Sequence, residues 1–287
     1  MHLIFASDLH GRIALYDALE RLAASHRAQA ILLGGDLLPR GVTPEDTLDM
    51  QKQFVADFLI PWMRGVSGGA TPILAVPGND DLAAAFSGAE IAGLRRLNLE
   101  GVLLDDRIRI LGYPYLPPTP FPSKDHEKMD RRSDGIRTPR GRPFITENGK
   151  IEWVEVAALF ARRSSIEEDL LSAPNPNEMR TVFVSHAPPY GTPLDRLHDG
   201  TPAGSTAIRE WIRDRRPALS LHGHIHESPE VTGRFWHRIG NTIAVNPGQT
   251  IRNLSAVRIT LGESSVRLEH THYPPEEITL PLGEHRK

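Results

Sequence analysis

Apolar positions in the first third of the chain follow two periods that alternate. "HLIFA" (2–6), "AILLG" (30–34) and "PILAV" (72–76) are short continuous apolar runs of the kind that fill buried strands. Between them, "IALYDALERLAASHR" (13–27) carries Leu15, Leu19 and Leu22 at helical spacing. Residues 46–63 place Val55, Phe58, Leu59 and Trp62 on one helical face. Pro61 is expected to kink or end that helix, because it has no N–H and its ring crowds the preceding turn. The resulting β–α–β–α–β order implies a parallel sheet.

Further along, "GVLLD" and "RIRILGY" (101–113) read as a hairpin and residues 151–172 as a helix. "TVFVS" (181–185) is a strand, 206–215 a helix and 218–222 another strand. Segments 242–246, 254–261 and 265–273 read as strands in hairpin order. The two halves imply two sheets packed together with helices outside. No linker or internal repeat separates them, so one domain is expected over 1–287.

Residues 114–150 break the pattern. They are rich in Pro, Arg and Lys, with few aliphatics, and read as an insertion. The default for such text is a solvated flexible loop. The sharper reading is a lid or dimer arm bringing Lys124, Lys128, Arg131, Arg132, Arg137, Arg140 and Arg142, with Tyr113, Tyr115 and Phe121, toward an anionic substrate. A homo-oligomer stays open on the same ground.

Composition narrows the function classes. The formal net charge is −3, so no general basic field points to nucleic acid or an anionic membrane, although the 114–150 cations leave room for nucleic acid. There is no cysteine, which removes disulfides, thiolate metal sites and cysteine nucleophiles together. No apolar stretch approaches the roughly 20 residues that span a bilayer. The start, "MHLIFASDLHG", lacks the basic opening and apolar length of a signal peptide. A soluble, cytoplasmic protein with no membrane partner is the expectation.

Candidate chemistry gathers at strand ends. Asp8 and His10 follow the first strand, Asp36 the second, and Asn79, Asp80 and Asp81 the third. His186 follows "TVFVS", and His224 and His226 follow "ALSL". In α/β sheets ligands gather beyond the carboxyl ends of the strands. Carboxylate oxygen and imidazole nitrogen suit divalent Mn, Fe, Zn or Ni. An Asp can bridge two ions, and two ions about 3.5–4 Å apart can hold a hydroxide and clamp a phosphoryl group.

The ordered set D8-L-H10, G34-G-D36, G78-N-D80, S185-H186 and G223-H-I-H226 resembles the calcineurin-like metallophosphoesterase superfamily over roughly residues 1–250. The resemblance implies a four-layer α/β/β/α sandwich. It also implies two divalent ions, with Mn or Fe favoured. One would be held by Asp8, His10, Asp36 and His226. The other would be held by Asp36, Asn79, His186 and His224, with Asp36 bridging. The implied reaction is hydrolysis of a small phosphoester by in-line attack of a metal-bridging hydroxide, with Asp36, Asn79, Asp80 and His10 as candidate catalytic residues.

One departure bears on chemistry. The family usually carries Gly-Asn-His at the third motif, and this chain has Asp80 there. A carboxylate beside two dications stays ionised and is a poor acid at neutral pH. That favours substrates with good leaving groups, and phosphodiesters over monoesters. A second departure, "GDLLP" after Asp36, leaves the bridge intact. A nuclease of the same fold and a non-catalytic metal-binding scaffold for protein recognition are the rival readings.

Among the other candidates, His222 would point the same way as His224 and His226 on an extended chain, yet reads as a packed or supporting residue. Arg12 could meet a phosphate at the start of the first helix, or be solvated. Asp81 reads as a supporting carboxylate, and Tyr190 as a pocket wall. His237 reads as surface or loop. His2, His26, His126, His198, His270, His272 and His285 carry no pattern and read as ordinary structural or surface residues.

Overall fold

The computed structural model describes residues 1–86, 94–105, 107–173 and 179–280; His285 lies outside them. The chain opens with β1 (His2–Ala6), α1 (Ile13–His26) and β2 (Ala30–Leu33). A long helical run follows: α2 (Pro44–Phe54), a π turn at Val55–Leu59, and α3 (Ile60–Gly65). Thr43 starts this run with a capping box: its hydroxyl accepts the Asp46 N–H, and the Asp46 carboxylate accepts the Thr43 N–H. Pro61 was expected to kink or end the helix. Instead the helix continues to Gly65, because the widened turn before it sends the Ile60 N–H back to Val55 O, so the missing donor is absorbed.

Next come β3 (Ile73–Ala75), β4 (Leu94–Arg96), β5 (Val102–Asp105) and β6 (Ile108–Tyr113), the last two forming the expected antiparallel pair. Then come β7 (Phe144–Glu147), β8 (Lys150–Trp153), α4 (Val156–Arg162) and α5 (Ile166–Leu171). The helix expected over 151–172 is thus corrected: its start belongs to a hairpin strand, and the rest splits into two short helices. Ser165 and Glu168 form a capping box that starts the second. The chain finishes with β9 (Arg180–Ser185), α6 (Thr206–Arg215), β10 (Leu219–Leu221), α7 (Ser228–Thr232), β11 (Trp236–Ile239), β12 (Thr242–Val245), β13 (Ala256–Leu261), β14 (Ser265–His270) and β15 (Glu276–Thr279).

Two mixed sheets result. One has the order β15-β14-β13-β1-β2-β3-β4, the other β11-β12-β10-β9-β6-β5. The segments read as consecutive hairpin strands are divided between them. β12 pairs with β10 and β11, whereas β13 and β14 pair with each other and, through β13, with β1.

Alternation along each strand sorts side chains into layers. Leu3, Phe5, Leu32 and Leu74 of the first sheet meet Ile110, Val182, Val184, Leu221 and Val245 of the second in one shared core. The opposite face of the first sheet, with Ile4, Ile31 and Ile73, packs on Leu15, Tyr16 and Leu19 of α1 and on Leu59 and Trp62. The opposite face of the second, with Leu111, Phe183 and Ala244, packs on Ile166 and Leu170 of α5 and Ile208 and Trp211 of α6. The architecture is a sandwich of two sheets flanked by helices. Among the described residues no helix is long and apolar enough to cross a membrane.

Residues 114–150 are bolted to this frame, contrary to the flexible-loop default. Several of their charges meet partners in the frame, while Arg137, Arg140 and Arg142 stay exposed. Lys124 donates to Glu127 at 2.7 Å, and both are buried. Lys128 pairs with Asp169 and lies 4.1 Å from the centre of the Tyr115 ring. Asp130 accepts the Ser205 hydroxyl and the Thr206 and Ala207 N–H groups, capping α6 from a distant part of the chain. Arg131 bridges Glu167 and Glu210, and Arg132 pairs with Glu168.

Candidate metal centre

The loops that leave β1, β2, β3, β9 and β10 meet at one edge of the sandwich, and backbone bonds lock them together. Asp8 N donates to Gly35 O at 2.8 Å, His10 N to Asp36 O at 2.9 Å and Gly223 N to His186 O at 3.0 Å. The approach is close enough to require glycine. A Cβ on Gly78 would lie 2.1 Å from Asp36 Oδ1, and one on Gly223 would lie 1.9 Å from Ser7 Oγ. Asp8, His10, Asp36 and His224 all have left-handed backbones, with φ of 61°, 47°, 53° and 69°. Non-glycine residues enter this region at a cost, and do so preferentially at functional sites.

These turns aim the side chains at a common point. Asp8, His10, Asp36 and His226 form one cluster and Asp36, His186 and His224 another; within each, one ligand-capable atom per residue lies within 4.8 Å of the rest. Asp36 belongs to both. Its Oδ2 is 3.9 Å from His10 Nε2 and 3.4 Å from His186 Nε2. His226 Nε2 lies 3.0 Å from Asp8 Oδ1 and 3.3 Å from His10 Nε2. Asn79 joins the second cluster, with Oδ1 3.2 Å from His186 Nε2. Asp80 borders the first, with Oδ2 3.7 Å from His10 Nδ1.

Neighbouring groups set the orientations. His186 Nδ1–H donates to Gly34 O at 2.7 Å, which leaves Nε2 facing Asp36 and Asn79, protonated without a cation and free to ligate one once that proton is lost. Asn79 Nδ2 donates to Asp80 Oδ1 at 3.1 Å, so its amide oxygen faces the cluster. The buried Asp81 carboxylate accepts three N–H bonds, from Leu37, Leu38 and Gly78, and ties the second loop to the third. Burial and the Asp36 charge push Asp81 up to about 7, against the pull of those N–H groups.

The charge balance suits cations. Burial would raise the Asp36 carboxyl, but the charge and hydrogen bond of His186 outweigh it and hold it well below the usual range. Asp8 is lowered to about 2 by the same contest, with His226 as the counterweight. In return His186, despite burial, is raised to about 10 by Asp36 and its other partners, and His226 is raised by Asp8. Protons on two imidazoles thus neutralise carboxylates where cations could do so. Burial and the Asp36 charge raise the Asp80 carboxyl. An all-oxygen-and-nitrogen donor set with one carboxylate shared between the clusters fits two borderline divalent ions.

Other sequence candidates fall elsewhere. His222 is turned away: Nδ1–H donates to Ala187 O at 2.9 Å and Nε2 accepts the Ser220 hydroxyl at 2.6 Å. The strand ends at Leu221 and His224 takes a left-handed turn, so the three histidines do not share a face. Arg12 is turned toward backbone, donating to the Leu9, Asp8 and Thr250 carbonyls. His237 sits on β11. Tyr190 is partly exposed beyond His186.

The sequence reading missed several supports. Gln51 donates to Pro39 O and Asp80 O and accepts the Leu82 N–H, fastening the third loop. Asn246 donates to the carbonyls of Gly223 and Ile225, and Gln249 to Ser7 O, joining the histidine loop to the first aspartate loop. The readable signal was "VNPGQ" at a further buried strand end, of the same type as the five that were used.

A sequence model of the family described as calcineurin-like phosphoesterase matches residues 1–228. No curated protein matches the sequence. Among solved structures, a dimetal phosphatase from Danio rerio is similar with a TM-score of 0.53 at 10% identity, covering 98% of this chain and 99% of its own. The protein TT1561 of Thermus thermophilus is similar with a TM-score of 0.52 at 17% identity, covering 97% and 98%. Both likenesses concern the fold.

Proposed function

The chain belongs to the calcineurin-like phosphoesterase family, and from that premise we propose that it is a dinuclear metal-dependent phosphoester hydrolase acting on small phosphoesters, phosphodiesters in preference to monoesters. The observation that carries the reading is the double membership of Asp36: one buried carboxylate shared by two His/Asp clusters.

Asp8, His10, Asp36 and His226 are assigned to one ion and Asp36, Asn79, His186 and His224 to the other, with Mn or Fe favoured. When bound, such a pair supplies a hydroxide nucleophile at neutral pH and neutralises charge on the phosphoryl oxygens.

The protein's own part is rigidity and orientation. Gly34 O fixes the His186 tautomer, Asp80 fixes the Asn79 amide, and Asp81 holds two loops in register. Asp80 occupies the position of the usual proton donor. Burial and Asp36 raise its carboxyl, but two bound dications would hold it ionised and make it a poor acid, which supports the diester preference and activated leaving groups.

The test is turnover of a nitrophenyl phosphodiester and the matching monoester by chelated protein, before and after Mn²⁺ is restored. Mn²⁺-dependent cleavage, faster on the diester, is expected. Protein that regains two ions per chain yet cleaves neither ester would support the scaffold reading instead.

A further inference from the structure

The core shared by the two sheets stays open where their edge strands β11 and β15 meet. There Phe235, Trp236 and Tyr273, which pack against that core, line a cavity of about 300 Å³ together with Arg234 and Glu276. Strand register places the cavity. Leu221, which leads to His224 and His226, pairs with Val245, and Val245 pairs with Trp236. In the other sheet Phe5, which leads to Asp8 and His10, pairs with Val257, and Val257 pairs with His270. Each route crosses two strand spacings, about 10 Å. The cavity thus lies toward the same edge as the metal centre, to one side of it, and shares no residue with either cluster.

The aromatic wall is held in place before any ligand arrives. The Phe235 ring centroid lies 4.8 Å from that of His270 and 5.7 Å from that of Tyr273, and His270 meets Tyr273 edge-on at 4.8 Å. His270 Nδ1 accepts the His272 N–H at 2.9 Å, and its Nε2–H donates to Pro247 O at 2.9 Å. Phe235 O accepts the Asn246 N–H at 2.9 Å. The charged residues are not engaged in this way. Among the described residues neither the Arg234 guanidinium nor the Glu276 carboxylate has a hydrogen-bond or ion-pair partner. Fixed aromatic faces take a flat ring by stacking. A guanidinium and a carboxylate beside the same faces select a ring with acceptors on one edge and donors on another. An organic cation would suit Glu276 and meet Arg234, an aromatic acid would do the reverse, and a hydrocarbon ring would serve neither.

We propose that this cavity is a binding site for the guanine ring of a nucleoside, separate from the metal centre. The ring stacks on the wall of Phe235, Trp236 and Tyr273. Glu276 accepts from guanine N1–H and N2–H, and Arg234 donates to O6 and N7. Guanine is the base that offers a carboxylate two adjacent donors and a guanidinium two adjacent acceptors. Adenine offers the carboxylate only its amino group, and gives the guanidinium no such pair of acceptors.

The experiment titrates guanosine and adenosine into the full, chelated chain, by calorimetry and by quenching of tryptophan fluorescence. Neither nucleoside carries a phosphate, so neither has an anionic group for the metal centre. Expected is saturable binding of guanosine, about 10-fold tighter than adenosine, with Glu276→Gln and Arg234→Met each weakening guanosine by about 10-fold. Trp236→Phe, which keeps a ring to stack on, should abolish most of the quenching while changing the calorimetric affinity much less. Melting temperatures confirm that each variant folds, and the two charge variants alter side chains at the rim, outside the packed core. No saturable guanosine binding, equal affinity for adenosine, or unchanged guanosine affinity in either charge variant would overturn the assignment. Any of these results would leave the phosphoesterase reading untouched, since that reading is tested by ester turnover.

Discussion

The Asp80 backbone N–H donates to Asp36 Oδ1 at 2.7 Å, while Asp36 Oδ2 lies 3.4 Å from His186 Nε2. One oxygen thus fastens a neighbouring loop and the other faces the clusters. Asp36→Asn keeps the shape but removes the charge that lets one side chain serve two ions. It should reduce bound Mn²⁺ from two ions per chain to one or fewer and lower diester turnover by about 10³-fold or more, as is common when a buried charge that organises a site is lost. Elemental analysis and steady-state rates would show it; two ions retained at full rate would refute the bridge.

Asp80 acts on Asn79 by accepting its side-chain N–H at 3.1 Å. Asp80→Ala frees the amide to rotate. Affinity for one of two ions should fall by about 10–100-fold, the usual effect of removing a group that orients a ligand. Asp80→Asn, which can still accept that bond, should fall less. Calorimetric titration of chelated protein resolves the two ions; equal affinity in all three proteins would count against the orienting role.

Protons and cations compete for the same imidazoles. His186 has its folded pKa raised to about 10. In metal-free protein its contribution to stability is full below its unfolded value of about 6.5 and declines as pH rises toward about 10. Cation binding needs the neutral ring, so it strengthens over the same range. The rise in melting temperature caused by Mn²⁺ should therefore be larger at pH 8.5 than at pH 6.5, and proton release should accompany loading. A Mn²⁺ effect that shrinks with rising pH would contradict the assignment.

Asp130 caps α6 from within the insertion through three accepted bonds. Asp130→Ala should destabilise folding by about 1–2 kcal/mol. Urea unfolding would measure this, and an unchanged midpoint would mean the insertion is only loosely attached.

The edge of the sandwich was readable because strands announce themselves as apolar runs, and chemistry-bearing residues at their ends stand out against that background. The two clusters bring together Asp8, His10, Asp36, His186, His224 and His226 from separate stretches of the chain. The insertion was not readable, because composition counts charges without naming partners. Lys128 finds Asp169 and Asp130 finds α6 across 41 and 76 positions. Elsewhere a local signal was present but unused. Asn148 and Gly149, with φ of 50° and 79°, turn the β7–β8 hairpin, and Asn-Gly is the strongest short-range hairpin signal. The Ser165–Glu168 capping box likewise marked the break inside the supposed helix at 151–172. The division of β12 from β13 between sheets had no local signal at all, since both are rich in apolar residues.

The left-handed backbones of Asp8, His10, Asp36 and His224 set chelation against durability. Each conformation would be easier for glycine, by about 1 kcal/mol. An Asp8→Gly chain, kept free of metal, gains backbone comfort at the very place where it forfeits its grip on a cation. The strain is thus concentrated at the one corner of the described residues where two His/Asp clusters meet, and folding alone gives no reason for it.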